Sequence, residues 1–187
     1  MTTRVLKATV PASAADVIER LADGLAFPSY AEDILSVAPT ADGDQAWVLA
    51  FRGGTAGWVQ RTGPAERHAP AGARATGRTG RDGRADVRPS DSADVRPGEG
   101  DTTGEQSYRI EFEQVSGDFQ HLKGTWTSTD VPGGSEVAFE VSFSTSVPHL
   151  AGAIDSAVGH VLLRSAHQVI SAVGGPARVT AGGHHLS

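Results

Sequence analysis

The sequence predicts an α+β fold in which an antiparallel sheet of about six or seven strands wraps one long C-terminal helix. Three observations predict it. Residues 108–114 and 137–143 alternate apolar and polar side chains, the period of strands with one wet face. From His149 the period changes, and Leu150, Ile154, Val158, Val161, Leu162 and Val169 keep helical spacing until Gly174-Gly175-Pro176 stops it. Between Gly63 and Glu105 there is no Leu, Ile, Phe, Tyr, Trp or Met, so this stretch cannot join a core. It separates two pieces of one domain, spanning residues 1–175.

Taken in order, Arg4 to Val10 alternates as a first strand. Ser13 and Asp16 then stand at capping-box-like spacing ahead of Val17, Ile18 and Leu21, which predicts a helix. Phe27-Pro-Ser-Tyr30 begins a short helical or turn segment. Ile34 to Val37, Gln45 to Arg52 and Thr55 to Thr62 read as three strands separated by Asp/Gly-rich turns, with Gly53-Gly54 in a hairpin turn. In the second of these, Trp47, Leu49 and Phe51 share a face. After the gap, Tyr108, Ile110, Phe112 and Gln114 share one face of a strand and Arg109, Glu111 and Glu113 the other. Phe119 to Thr129 forms the next strand. A Val-Pro-Gly-Gly turn leads to the last, where Val137, Phe139, Val141 and Phe143 alternate with Glu136, Glu140 and Ser142. Residues 176–187, ending Gly-Gly-His-His-Leu-Ser, are expected to be a flexible tail.

Composition narrows the function. A chain of 187 residues suffices for one core, and the absence of cysteine excludes disulfides, thiolate metal sites and a cysteine nucleophile. The N-terminus shows no apolar run followed by a small-residue cleavage site, and no uncharged run reaches about 18 residues, so a cytoplasmic protein without membrane insertion is expected. A net charge of −6 argues against general affinity for nucleic acid. Residues 63–105 are expected to be a disordered insertion, because they cannot bury enough apolar surface to offset an ordering cost of roughly 1–2 kcal/mol per residue. They repeat Ala-Asp-Val-Arg-Pro at 85–89 and 93–97, with arginines gathered first and acids later. This segment is a docking arm or a tolerated loop expansion.

Several local words carry a resemblance. Phe27-Pro-Ser-Tyr30-Ala, Phe51-Arg52-Gly-Gly, Trp58-Val-Gln-Arg61, and Phe112-Glu-Gln-Val-Ser-Gly-Asp-Phe119 leading to Gly124-Thr-Trp126, together with the terminal helix, resemble bacterial polyketide cyclase/dehydrase-like proteins of the START-like superfamily. The likeness covers residues 4–62 and 106–174. It implies a helix-grip fold with a deep apolar cavity between sheet and helix, and a polyketide or other hydrophobic small molecule as ligand. Some such proteins are aromatase/cyclases that hold a poly-β-keto chain on an acyl carrier protein and direct aldol closure and dehydration, while others only carry a ligand. Three functions stay open: a cyclase/aromatase, a carrier or chaperone of a lipid or quinone, and a ligand-responsive regulatory module. No cofactor is expected, and neither a phosphate-cradling glycine loop nor a zinc signature is present.

Ring closure of a polyketone needs an apolar wall and donors that polarise carbonyls. The resemblance places Arg52 and Arg61 where cyclase relatives hold cavity arginines, with Tyr30 in the segment roofing the cavity as proton donor or relay. The alternative for both arginines is the solvent-facing end of a strand. Trp58, Phe112, Gln114, Trp126, Phe139, Phe143 and Ile154 are the expected cavity residues, the tryptophans stacking on a flat ligand or simply filling core. Gln114 is a ligand contact or a bond to backbone. His121, placed on one face with Phe119 and Lys123, is an acid/base candidate or an outward histidine. His160, Arg164, His167 and Ser171 form a polar stripe read as a solvated helix face, with no metal-ligand spacing.

Overall fold

The computed structural model describes residues 1–52, 54–68, 106–145 and 151–183. The chain opens with strand β1 (Thr2–Val10) and helix α1 (Ala14–Ala22). Ser13 caps the helix as its spacing requires: its Oγ accepts from the Asp16 N–H at 3.2 Å and donates to the Asp16 carboxylate at 2.7 Å. A 3-10 turn at Gly24–Ser29 follows, and then β2 (Ile34–Pro39), β3 (Gln45–Phe51), β4 (Gly54–Thr62) and the short β5 (Glu66–His68). Beyond the gap come β6 (Ser107–Gly117), β7 (Phe119–Val131), β8 (Gly134–Thr145) and helix α2 (Ala151–Gly174). A second short strand, β9 (Arg178–Ala181), completes the set. Leu150, one of the residues that set the helical period, lies outside the described residues.

All neighbouring strands pair antiparallel in the order β2-β3-β4-β6-β7-β8-β1-β9, with β5 added beside β6. The inner face is apolar: Leu6, Leu49, Trp58, Ile110, Trp126, Phe139 and Phe143 are buried against α2. This is the expected helix-grip arrangement, with nine strands among the described residues rather than six or seven. Helix α2 turns Val158, Leu163, Val169 and Ile170 to the sheet and is pinned near its start by Asp155. The Asp155 carboxylate accepts from the Thr145 N–H at 3.2 Å, the Thr145 hydroxyl at 2.7 Å and the Thr2 hydroxyl at 3.1 Å. The helix stops where the sequence says it should, since Gly175 sits at φ +90°, a conformation that disfavours side chains.

Two expectations about the chain's loose parts are corrected. The tail is not free from residue 176: Arg178 and Val179 pair with Thr9 and Ala8, so β9 closes one edge of the sheet. The insertion does not start at Gly63 either, because Glu66, Arg67 and His68 pair with Arg109, Tyr108 and Ser107. Arg67 is also held by side chains, its Nη2–H reaching Gln106 Oε1 at 3.2 Å and its guanidinium lying 5.7 Å from the Tyr108 ring centre. Unfavourable composition is overridden here by a ready-made strand edge. The expected disorder therefore concerns residues 69–105, which lie outside the described residues, as do His184 and His185.

His68 and Ser107 stand side by side, so the segment between them leaves and rejoins the domain at one point. Replacing residues 69–105 with a four- or five-residue turn is expected to preserve the far-ultraviolet circular dichroism and to raise stability by about 1–2 kcal/mol through the shorter loop closure. Loss of cooperative thermal unfolding in that variant would show that the segment takes part in the fold.

Candidate functional site

Strands β3 and β4 set the site by parity. Gln45 stands opposite Gln60, Trp47 opposite Trp58 and Leu49 opposite Ala56, and all six side chains face α2. The indoles of Trp47 and Trp58 stack with ring centres 5.8 Å apart and planes 14° from parallel. Across the cavity Phe112 stacks on Phe139 at 6.0 Å, and Trp126 leans on Phe139 at 4.4 Å. Phe27, from the 3-10 turn, meets Trp47 and Trp126 edge-on at 5.5 and 6.1 Å. Leu162, Ser165, Ala166 and Val169 of α2 form the opposite wall. What these rings leave open is a cavity of about 60 Å³.

Its polar groups are few and uncharged. Trp58 Nε1–H donates to Gln60 Oε1 at 3.2 Å, and Gln60 Nε2–H donates to Thr62 Oγ1 at 3.1 Å. Gln45, Trp47 and Ser165 add an amide, an indole N–H and a hydroxyl. Among the described residues lining the cavity there is no Asp, Glu, His, Lys, Arg or Tyr. The arrangement can enclose an apolar body and hydrogen-bond to it, but it offers no side chain whose proton moves near neutral pH.

A larger hollow of about 490 Å³ lies on the outer face of the sheet, beside Arg61, Arg109, Lys123, Glu111, Glu113 and Glu140. These are the opposed charges of a solvated sheet face, and Arg109 already pairs with Glu111 at 2.8 Å. Size alone favours that hollow, but the aromatic and aliphatic lining favours the inner cavity.

Of the expected residues, Trp58, Phe112, Trp126 and Phe139 line the cavity. Phe143 is fully buried beside Phe119, with ring centres 6.2 Å apart, and Ile154 packs on the core; neither is among the lining residues. Gln114 turns its amide to backbone, its Nε2–H donating to the Phe119 carbonyl at 2.8 Å. The arginines are a correction. Arg61 follows Gln60 on β4 and so points outward, where its Nε–H and Nη2–H each donate to a different oxygen of Asp44 at 3.0 Å. That hydrogen bonding, together with the Asp44 charge, raises its pKa above an already high value. An unpaired guanidinium turned into this aromatic cavity would be strongly disfavoured. Arg52 is exposed in the turn after β3, and Tyr30 is a half-buried packing residue 6.5 Å from Phe27, also away from the cavity wall.

Two further expectations change. A register shift between Phe119 and His121 separates those residues: Phe119 is buried inside, whereas His121 is half-buried and absent from the cavity wall. Arg164 is no idle member of a solvated stripe, since both its Nε–H and Nη2–H donate to the Asp33 carboxylate, the first at 2.9 Å, with Glu32 at 3.7 Å. Hydrogen bonding to Asp33 pushes the Arg164 pKa further up, against a smaller opposing effect of burial. The pair ties α2 to the corner preceding Ile34, a cavity residue. Gln45 and Gln60, not singled out in the sequence, are reached by extending the Trp47 and Trp58 alternation by one step.

The comparisons agree with this geometry. Residues 10–169 match the family model described as polyketide cyclase / dehydrase and lipid transport. No curated protein matches the sequence. Among solved structures, a protein of Thermus thermophilus is similar over 92% of this chain and 94% of its own, at 13% identity and a TM-score of 0.60. The Zhui aromatase/cyclase from Streptomyces sp. R1128 is similar over 92% and 93%, at 12% identity and 0.59. A START superfamily protein from Mycobacterium smegmatis is similar over 92% and 95%, at 12% identity and 0.55. At these identities the likeness is one of fold. Among the described residues no helix is long and apolar enough to cross a membrane, and no group of His, Asp and Glu side chains is placed to hold a metal ion.

Arg61→Ala is expected to leave ligand binding unaltered, because Arg61 lies on the outer face of the sheet and does not line the cavity. Arg164→Ala strands the buried Asp33 carboxylate and is expected to cost about 1–3 kcal/mol, a fall in Tm of roughly 3–10 °C. Ligand titration of the first variant and thermal unfolding of the second check the two expectations.

Proposed function

We propose, for a chain that belongs to the polyketide cyclase/dehydrase and lipid transport family, that the cavity holds an uncharged hydrophobic small molecule. The protein acts by enclosing and orienting that molecule, not by moving protons from its own side chains. The observation that carries this reading is the cavity lining: aromatic and aliphatic walls, a few neutral hydrogen-bonding groups, and no titratable side chain among the described lining residues. General acid–base catalysis needs such a group within hydrogen-bond reach of the reacting atom. Carriage of a hydrophobic metabolite needs only dry walls and polar groups that fix orientation. Ligand sites usually measure roughly 300–1,000 Å³, so binding of a multi-ring molecule widens this cavity as its aromatic side chains turn aside.

A second reading is favoured by the fold shared with the Streptomyces aromatase/cyclase. The same walls would then bend a poly-β-keto chain, with neutral donors such as Trp47 and Ser165 polarising its carbonyls. An acyl carrier protein would be the partner that presents the chain.

All three tryptophans, Trp47, Trp58 and Trp126, line the cavity, so intrinsic fluorescence reports its occupancy. Titration with neutral N-phenyl-1-naphthylamine is expected to quench that fluorescence with a Kd unchanged from pH 5 to pH 8. Addition of the protein to a minimal polyketide synthase is expected to leave the ring pattern of the products unchanged. An altered ring pattern overturns the enclosing-only reading in favour of the cyclase.

A further inference from the structure

One end of the cavity is built differently from the rest. A Cβ placed on Gly24 would lie 2.7 Å from Gln45 Oε1 and 3.1 Å from Trp47 Cζ2, so only glycine lets the amide and the indole edge pack this closely against the chain. Gly24 carries no positive φ, and its backbone therefore does not demand glycine. Trp47 Nε1, Gln45 Oε1 and Ser165 Oγ are all buried without a hydrogen-bond partner among the described residues, and all three residues line the cavity. Trp47 is only 6% exposed and Ser165 only 4%. The neighbouring amide of Gln60, by contrast, is fully engaged by Trp58 and Thr62.

An indole N–H is a donor only, an amide oxygen an acceptor only, and a hydroxyl both. Resting on the enclosing function above, we infer that the cavity recognises an uncharged aromatic ligand by a hydroxyl or enol group that meets Trp47 and Gln45. That group accepts from Trp47 Nε1–H and donates to Gln45 Oε1. A second oxygen on the ligand, carbonyl or hydroxyl, meets Ser165 Oγ. Carboxylates and phosphates are rejected, because among the described residues no cation lines the cavity to offset their desolvation. The selected class is thus a neutral phenol or enolised ketone, not a fatty acid or a phospholipid headgroup.

Single-ring probes test this without demanding a wide cavity. Binding of p-cresol, toluene and p-toluate to the full chain is measured by calorimetry and by the indole ¹⁵N–¹H resonances of the three tryptophans. The expected result is that p-cresol binds roughly tenfold more tightly than toluene, through two added hydrogen bonds, and shifts the Trp47 indole signal most. No binding of p-toluate is expected. Gln45→Met, close in shape but without the amide, should still take toluene and lose the preference for p-cresol. Gly24→Ala, whose methyl would fall 2.7 Å from Gln45 Oε1 and so displace the amide, should do likewise and serves if Gln45→Met does not fold. Equal binding of p-cresol and toluene, or tighter binding of p-toluate, overturns the inference while leaving the cavity a binding site. Failure of both neutral probes to bind removes the enclosing function itself.

Discussion

The constraint on which the site depends is strand parity under a face covered by a helix. With α2 closing the inner side of the sheet, every second residue of a strand must be acceptable to a dry aromatic interior, and a lone charge is not. On β4 this puts Ala56, Trp58 and Gln60 inside, while Arg61 is outside on Asp44. On β3 the same rule turns Gln45, Trp47 and Leu49 inward. The neutrality of the cavity is therefore no separate feature added to the fold. It follows from which residues the pleat assigns to the side that the helix covers.

Parity also explains what the sequence made legible and what it hid. The long strands and both helices were readable, because period and caps were written in consecutive residues: Ser13 with Asp16, Tyr108 to Gln114, Val137 to Phe143, and Gly174-Gly175 at the end of α2. Strands β5 and β9 were not, since three or four mostly exposed residues carry no period, and pairing with β6 and β1 alone makes them strands. Arg61 was misplaced by weighing residue type above parity, although Gln60 beside it already occupied the inward position. His121 was misplaced by a register shift, which has no mark in the alternation before it. The Arg164–Asp33 pair joins residues distant in sequence, and nothing local to either announces the other.

Those long-range ties decide how the cavity can change. Two carboxylates fasten helix α2, Asp155 to Thr2 and Thr145, and Asp33 to Arg164. Both fastenings satisfy buried or half-buried carboxylates, so parting either exposes a charge to poor solvation. The lining on the far side is held more lightly: Phe27 belongs to a six-residue 3-10 turn, and Gln45 begins its strand only partly buried. Widening by the turn and by aromatic rotamers is consequently easier than displacement of the helix.

The unpartnered groups of the cavity wall run against the interest of stability. Each buried polar atom without a partner costs about 1–3 kcal/mol, against a net stability of roughly 5–15 kcal/mol for a domain. A core shaped only to be stable would hold a Leu or Met in place of Gln45 and an Ala in place of Ser165. The chain elsewhere shows that it can satisfy an inward amide, as it does for Gln60 with Trp58 and Thr62. Single orphaned atoms occur elsewhere, at Gln114 Oε1, His121 Nε2, Ser128 Oγ and Gln168 Oε1, so it is the gathering of Gln45, Trp47 and Ser165 on one cavity wall that marks a place where the fold gives up stability for recognition.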